Sequence, residues 1–305
     1  MTIRPAKPRP GGLDPGPAAQ SAATPLRAAM RAFDDGAQDF LRANAAVWDV
    51  VGRQAAVAAA PALGDWVLDA CCGAGASALP LARAVGPAGR VDAVDLSPRL
   101  TRHGQRAARR AGLGRIAFHA ADVLAWAAAR ASTYDAAVCT LGLMFLPEPA
   151  EALTVLASAL RPGGRIAVTT WAAGAMQPLA GILWRARLDC GLAPPPVPPF
   201  AAAVAATEEP GRLLNLAARA RLDRARVDVH HQKLALPGPV GWALARGTVL
   251  NSLLAGLNPG QEDRVRRLLD EGMTQNGNLV DATTLTLHAR RTRPFEHAAA
   301  PGRTP

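Results

Sequence analysis

Between residues 66 and 171 short apolar runs alternate with helix-patterned stretches, and no other feature of the sequence narrows the fold as much. Trp66-Val67-Leu68-Asp69 reads as a strand, and Ala78 to Val85 has helical spacing. Arg90 to Asp95 reads as a second strand. Ser97-Pro98 then opens a helix, with Ser as the cap and Pro in the first turn. Ile116-Ala117-Phe118 and Tyr134 to Cys139 give a third and a fourth strand. Ala150 to Leu160 is helix-patterned, Pro162-Gly163-Gly164 stops it, and Arg165 to Trp171 is a fifth strand. Strands separated by helices predict a parallel sheet covered on both faces. Right-handed crossovers then put the strands' C-terminal ends on one edge, where ligands bind.

The flanks are assigned in the same way. Residues 1–25, rich in Pro, Gly and Ala, read as a flexible tail, and 292–305 as another. Residues 26–60 carry Leu26, Met30, Phe33, Phe40, Leu41, Val47, Val50 and Val51 at helical spacing, which predicts a helical cap. Residues 172–206 include the run Pro194 to Pro199 and read as an irregular, lid-like insertion. Thr207 is expected to cap a helix running to about Leu222, and Val227 to Leu236 alternates as a strand. Residues 239–256 and 260–273 look helical, and Leu279 to Arg290 alternates again and should close the sheet. The expectation is one α/β domain over 26–291, with a seven-stranded, mostly parallel, Rossmann-like sheet.

Composition removes several function classes. Half of the 305 residues are hydrophobic and the net charge is only +10, which excludes a mostly disordered chain. Seven of those ten positive charges fall in residues 1–31 and 286–305. The remaining basic cluster, Arg99, Arg102, Arg106, Arg109, Arg110 and Arg115, is helix-spaced and reads as a solvated face before it reads as a nucleic-acid surface. Cys71, Cys72, Cys139 and Cys190 form no Cys-x-x-Cys pair, so no metal site is expected. Ile166 to Trp184 is free of charge for nineteen residues, but its Thr, Gly and Pro content predicts strand, loop and helix rather than a membrane span. The N-terminus lacks the apolar core of a signal peptide, which points to the cytoplasm.

The densest chemistry follows the first strand, in Asp69-Ala70-Cys71-Cys72-Gly73-Ala74-Gly75-Ala76-Ser77-Ala78. Gly73 and Gly75 let the backbone turn sharply beside a ligand, and the next helix offers free N–H groups. Asp95, twenty residues beyond Gly75 at the end of the second strand, can accept both hydroxyls of a ribose. Gly73-x-Gly75-x-x-Ala78 also satisfies a dinucleotide fingerprint, which keeps a nicotinamide dehydrogenase as a minority reading. Asp69, at a strand end where a pyrophosphate would be repelled, and Asp122, after the third strand, favour a cationic, adenosine-bearing ligand instead. Cys71 and Cys72 read as small packing residues rather than nucleophiles.

These elements resemble the S-adenosylmethionine-dependent methyltransferases of the seven-stranded α/β (class I) fold, with the ubiquinone and menaquinone biosynthesis group the nearest likeness. Val67 to Gly75 is similar to the family's V-L-D-x-G-C-G-T-G, with Cys71 in place of its usual glycine. Val94-Asp95-Leu96-Ser97, Ala121-Asp122-Val123 and Leu160-Arg161-Pro162-Gly163-Gly164-Arg165 resemble three further family motifs. The resemblance implies S-adenosyl-L-methionine as cofactor. It gives the methionine moiety to Asp69, Ala70, Cys71, Gly73 and Gly75, the ribose to Asp95, the adenine to Leu96, Asp122 and Val123, and adds Thr140 to the set.

The exit of the fourth strand, Leu141 to Leu146, is apolar and lacks the motifs that hold base amines or a Pro-Cys nucleophile. It favours a small, largely apolar acceptor such as a quinone, polyketide or terpenoid, methylated at O, N or C. Phe33, Trp48, Leu141, Met144 and Trp171 are the candidate pocket residues, and His231 is the candidate base. RNA or protein methylation through the arginine face, and non-methylating chemistry on the same fold, stay open beside this reading. A homodimer is compatible with the sequence.

Overall fold

The computed structural model describes residues 31–293, so the tail expected at 1–25, the start of the cap at 26–30 and all but residues 292–293 of the tail expected at 292–305 lie outside the described residues. Residues 31–35 are helical, followed by α1 (Ala37–Arg42), a π-helical turn (Asn44–Trp48) and α2 (Asp49–Ala58). The alternating unit then appears as β1 (Trp66–Ala70), α3 (Ala78–Val85), β2 (Arg90–Asp95), α4 (Pro98–Arg110), β3 (Ile116–Ala120), α5 (Val123–Ala128), β4 (Tyr134–Thr140), α6 (Pro149–Ser158) and β5 (Leu160–Trp171). After β5 come α7 (Gln177–Asp189), α8 (Ala201–Thr207), α9 (Pro210–Arg219), β6 (Leu222–His230), β7 (Lys233–Ala235), α10 (Gly238–Gly247), α11 (Pro259–Gln275), β8 (Leu279–Asp281) and β9 (Thr284–Arg291).

Seven strands form one sheet in the order β3-β2-β1-β4-β5-β9-β6. The first five are parallel, and β9 inserts antiparallel between β5 and β6. The chain winds outward from β1 to β3 and then returns to place β4 on β1's other side. That reversal opens a crevice between β1 and β4 at the C-terminal edge of the sheet. On one face of the sheet Leu153, Leu156, Leu213 and Leu216 join Leu68, Val94 and Leu287 in the core. On the other, Ala55, Leu81 and Val85 pack on Val67, Val91 and Val138. A separate core under the cap joins Val47, Leu179, Leu183, Leu244, Leu269 and Met273.

The structure corrects several expectations downstream of β4. Pro162-Gly163-Gly164 does not precede the fifth strand but lies within it. The register steps from Tyr134↔Leu160 to Ala136↔Arg165, so the extra residues of β5 bulge, with Gly163 at φ +77°. Residues 172–206 are not irregular throughout, since they hold the thirteen-residue α7 and also α8. Leu179, Leu183 and Ala186 give α7 a buried face. Arg187 is buried with it and donates to the carbonyls of Ala193, Leu253 and Ala255, which ties down the start of the proline-rich stretch. Thr207 ends α8 rather than starting the next helix, and Glu209 is the N-cap of α9. The expected strands 227–236 and 279–290 are each divided. β7 and β8 pair with one another in a small second sheet, while β6 and β9 stay in the large one.

A buried polar knot holds β2, β3 and β4 together below the crevice. Tyr134, 1% exposed, donates to Asp92 Oδ2 at 3.0 Å and accepts from Trp126 Nε1 at 3.0 Å. Burial would raise the Asp92 pKa, but hydrogen bonds from His119, Arg90 and Tyr134, together with the Arg90 charge, hold it below the ordinary carboxylate value. Tyr134→Phe removes the hydroxyl and leaves the Trp126 N–H without its acceptor. It should cost about 1–3 kcal/mol, read as a melting temperature lowered by several degrees, with no change in far-UV circular dichroism.

Candidate active site

A cavity of about 550 Å³ opens at the C-terminal edge of the sheet, within the usual range for a small-molecule site. Its floor comes from the strand exits: Cys71 to Ala74 after β1, Asp95 and Leu96 after β2, Asp122 and Val123 after β3, Thr140 and Leu141 after β4, and Trp171 at the end of β5. Its roof comes from Phe33, Phe40, Asn44 and Trp48 of the cap, Met176 and Gln177 before and within α7, Phe200 and Glu208 on either side of α8, and Leu244 of α10.

The turn after β1 is tight: Gly75 N–H reaches Cys72 O at 2.9 Å, and Gly73 and Gly75 have φ of +52° and +94°. A Cβ on Gly75 would lie 2.9 Å from the Phe118 ring, so this position needs glycine for space as well as for conformation. The turn leaves Gly73 N–H free to donate to Asp95 Oδ2 at 2.8 Å, while Ser97 N–H donates to Asp95 Oδ1 at 2.8 Å. Burial raises the Asp95 pKa, and the two amide donors pull against it. Asp122 caps α5, its Oδ1 accepting from Leu124 N–H and Ala125 N–H. Between these two acids Leu96 stands on the cavity wall with 42% of its surface exposed, a flat apolar support awaiting a partner.

Three expected ligand residues do not line the cavity. Ala70 is fully buried in β1, and Gly75 turns towards Phe118. Asp69, expected to aim at the ligand, lies one layer below with 0% exposure and accepts from Ser77 Oγ at 2.8 Å. Ser77, which does line the cavity, stands between it and the ligand space. Burial pushes the Asp69 pKa up to about 7. His231 lies outside the cavity, exposed near Asp281, and so is not placed to act as a base there. Among the described residues no histidine lines the cavity: His119 faces Asp92 and His288 faces Asp228. His297 lies outside the described residues. The arginines at 99, 102, 106, 109 and 110 are exposed on α4, and none lines the cavity.

Phe33, Trp48, Leu141, Met144 and Trp171 all line the cavity, joined by aromatic residues the sequence reading did not single out. Phe40 stacks on Trp48 with ring centroids 4.7 Å apart, and Trp48 Nε1 donates to Phe40 O. Phe33 meets Phe40 and Phe145 edge-on, and Phe145 meets Phe200. This chain of rings links the cap, the exit of β4 and the segment before α8 across the cavity. The signal was present in the composition, since the chain has only six phenylalanines and four of them line this one cavity.

Backbone strain gathers here too. Cys71, Leu141 and Met176 are non-glycine residues at φ +57°, +55° and +62°, and all three line the cavity. Cys71 thus occupies a left-handed position suited to glycine. Its thiol lies against Cys139, and that contact, followed by burial, raises its pKa well above the ordinary value. It is a packing thiol rather than a nucleophile. Asn44 Oδ1 and Thr140 Oγ1 are buried at the cavity without a hydrogen-bond partner among the described residues. No cluster of three His, Cys, Asp or Glu suited to a metal occurs among the described residues, and no helix there is long and apolar enough to cross a membrane.

Residues 67–164 match the family described as "Methyltransferase domain". The chain is 31% identical over 140 residues to the aklanonic acid methyltransferase DauC of Streptomyces sp. strain C5, covering 46% of this chain and 63% of that protein. It is 31% identical over 107 residues to the ubiquinone biosynthesis O-methyltransferase of Xanthomonas axonopodis pv. citri, covering 35% and 43% respectively. It therefore spans less than two thirds of either relative. Among solved structures the YcgJ protein of Bacillus subtilis shares the fold, with a TM-score of 0.51 at 15% identity over 78% of this chain and 97% of that one.

Two outcomes follow for the floor of the cavity. The folded Asp69 carboxyl keeps its proton to about pH 7, whereas an unfolded one loses it near pH 4. Unfolding therefore releases a proton between those values, so this group's contribution is full below about pH 4 and is lost as pH rises to about 7. Asp69→Asn should gain in melting temperature on the wild type across that window and gain no further above it; parallel curves would contradict the assignment. A Cβ on Gly142 would lie 2.4 Å from Cys71 Cβ. Gly142→Ala should cost about 1–3 kcal/mol, and most of that cost should vanish when Cys71→Gly is made in the same chain, as a double-mutant cycle by denaturant unfolding would show.

Proposed function

We propose, from the premise that residues 67–164 are a methyltransferase domain of the class I seven-stranded fold, that the chain binds S-adenosyl-L-methionine and methylates a small, largely apolar metabolite. The observation that carries the reading is the arrangement of Asp95, Leu96 and Asp122 at two successive strand exits, all facing one cavity whose far side is aromatic. Asp95, fixed by Gly73 and Ser97, would hold the ribose hydroxyls. Leu96 and Val123 would hold the faces of the adenine ring, and Asp122 its edge. The turn from Cys71 to Ala74, with Ser77 behind it and Thr140 across from it, would take the methionine end.

The fit is chemical as well as spatial. Among the described residues every charged side chain lining the cavity is a carboxylate: Asp95, Asp122 and Glu208. Such a lining suits a ligand that carries a sulfonium and an ammonium, and opposes the pyrophosphate of a dinucleotide. The bound sulfonium would supply a methyl carbon already activated for displacement. The protein's share is then to hold the acceptor in line and to keep water out. The rings of Phe33, Phe40, Trp48, Phe145 and Phe200 close over the cavity in a continuous set of contacts, which serves both ends.

The acceptor class follows from the same walls and is supported by the names of the relatives, one a methyltransferase for aklanonic acid and the other for ubiquinone biosynthesis. A cytoplasmic setting, supported by four unpaired cysteines, is part of the proposal.

Thermal unfolding with S-adenosylhomocysteine tests the reading. At about 100 times its dissociation constant a ligand adds about 2.7 kcal/mol, a rise of several degrees for a chain of this size. The rise should appear in the wild type, be absent in Asp95→Ala and Asp95→Asn, and not be reproduced by NADH. A response to NADH alone would overturn the proposal.

A further inference from the structure

We infer that Glu208 selects the acceptor, taking one that presents a hydroxyl on an otherwise apolar framework and rejecting one that presents a carboxylate at that point. The inference rests on the methyl-transfer reading only in treating this ligand as the acceptor. The recognition chemistry itself comes from the cavity.

Among the described residues Glu208 is the one charged side chain on the half of the cavity away from the β1–β3 exits. Its backbone is fixed to the end of β5 at two successive peptides. Thr170 Oγ1 donates to Thr207 O at 2.9 Å, and Ala173 N–H donates to Glu208 O at 2.9 Å. In the strand order β2-β1-β4-β5, this places Glu208 on the far side of β4 from Asp95. A ligand spanning the cavity would have its nucleoside end over β1 to β3 and the second substrate beneath Glu208.

The carboxylate of Glu208 has no side-chain hydrogen bond or ion pair among the described residues. The nearest cation in sequence, Arg212, pairs with Glu209 instead at 3.0 Å. The other hydroxyls around this half are committed to their own helices. Thr207 Oγ1 donates to carbonyls of α8, at Ala203 and Val204, and Thr248 Oγ1 donates to Leu244 O. The lining on this half includes Phe145, Phe200, Val204 and Ala180, with the amide of Gln177 as its other polar side chain besides the two threonines.

A half-buried carboxylate in such surroundings gains from a neutral donor, because a hydroxyl brings no charge to be desolvated. It repels an anion. Among the described residues no arginine, lysine or histidine lines the cavity to offset that repulsion. An ammonium would satisfy the charge but would lose its water among aromatic walls, which favours the hydroxyl.

The test uses four naphthalene probes on the full chain, with binding read by calorimetry so that no turnover is required: 2-naphthol, 2-methoxynaphthalene, 2-naphthoate and 2-naphthylmethylamine. Wild type should bind 2-naphthol about ten-fold or more tighter than the methoxy compound, and 2-naphthoate most weakly. Glu208→Leu should bring naphthol and methoxynaphthalene to equal affinity and strengthen naphthoate. Glu208→Gln should keep part of the naphthol preference while admitting naphthoate. A wild-type melting temperature in both variants establishes that they are folded. An unchanged naphthol preference in Glu208→Leu, tighter binding of the ammonium probe than of naphthol, or no binding of any probe would each overturn the inference. Loss of the S-adenosylhomocysteine response would instead count against the methyl-transfer reading and leave the naphthol result to decide Glu208 by itself.

Discussion

One carboxylate, Asp95, accepts from Gly73 N–H and from Ser97 N–H at 2.8 Å each, and so ties the turn leaving β1 to the turn leaving β2. Both turns would otherwise be separate loops at the open edge of a parallel sheet. Held together, they set the start of α4 and the path of the glycine turn. Ser97 in turn accepts from Leu100 N–H and donates to Asp34, so the same linkage reaches the cap. The cap then brings Phe40 to within van der Waals reach of Gly73. Floor, turn and roof of the cavity thus depend on hydrogen bonds radiating from a single side chain.

The first half of the fold was legible because its sequence signals are local. β2 and α3 begin and end where the apolar period changes, and Ser97-Pro98 states the start of α4 in two residues. The second half depends on pairings that a one-dimensional pattern does not encode. Alternation in 227–236 and 279–290 is real, yet each run is broken by a change of sheet at 231–232 and 282–283. Pro162-Gly163-Gly164 carries the composition of a stop but lies in a bulge, because β4 supplies two residues where β5 supplies five. The helix expected within 166–184 is α7, and its extension to Asp189 is carried by the buried spacing of Leu179, Leu183 and Ala186, which the proline run at 194–199 does not interrupt.

The antiparallel insertion of β9 carries polar residues into the core, some paired and one, the Thr284 hydroxyl, left without a partner among the described residues. Thr286 is buried and hydrogen-bonds Thr169 across the β5–β9 pair, while Thr170 reaches Thr207 O beyond the sheet. A period-2 reading assigns such threonines to solvent. Here both faces of β9 are covered, one by helices of the main domain and the other by the cap side, so alternation loses its meaning as a guide to exposure. The site residues divide along the same line. Asp95, Leu96, Asp122 and Thr140 sit at strand exits that any alternating fold exposes, whereas Phe200 and Glu208 reach the cavity only through the anchoring of α8 to β5.

Charge sign gives the cavity a direction. Among the described residues its lining holds three carboxylates and no cation. Two of the three, Asp95 and Asp122, accept hydrogen bonds from backbone N–H groups that fix them in place. Both are thereby held in place at the exits of β2 and β3. Glu208 has no such backbone donor among the described residues and is only part-buried, which leaves its carboxylate open to a donor from outside the chain. On the proposed reading, the acceptor and nucleoside ends would share one largely apolar chamber, where a low dielectric lengthens the reach of each charge.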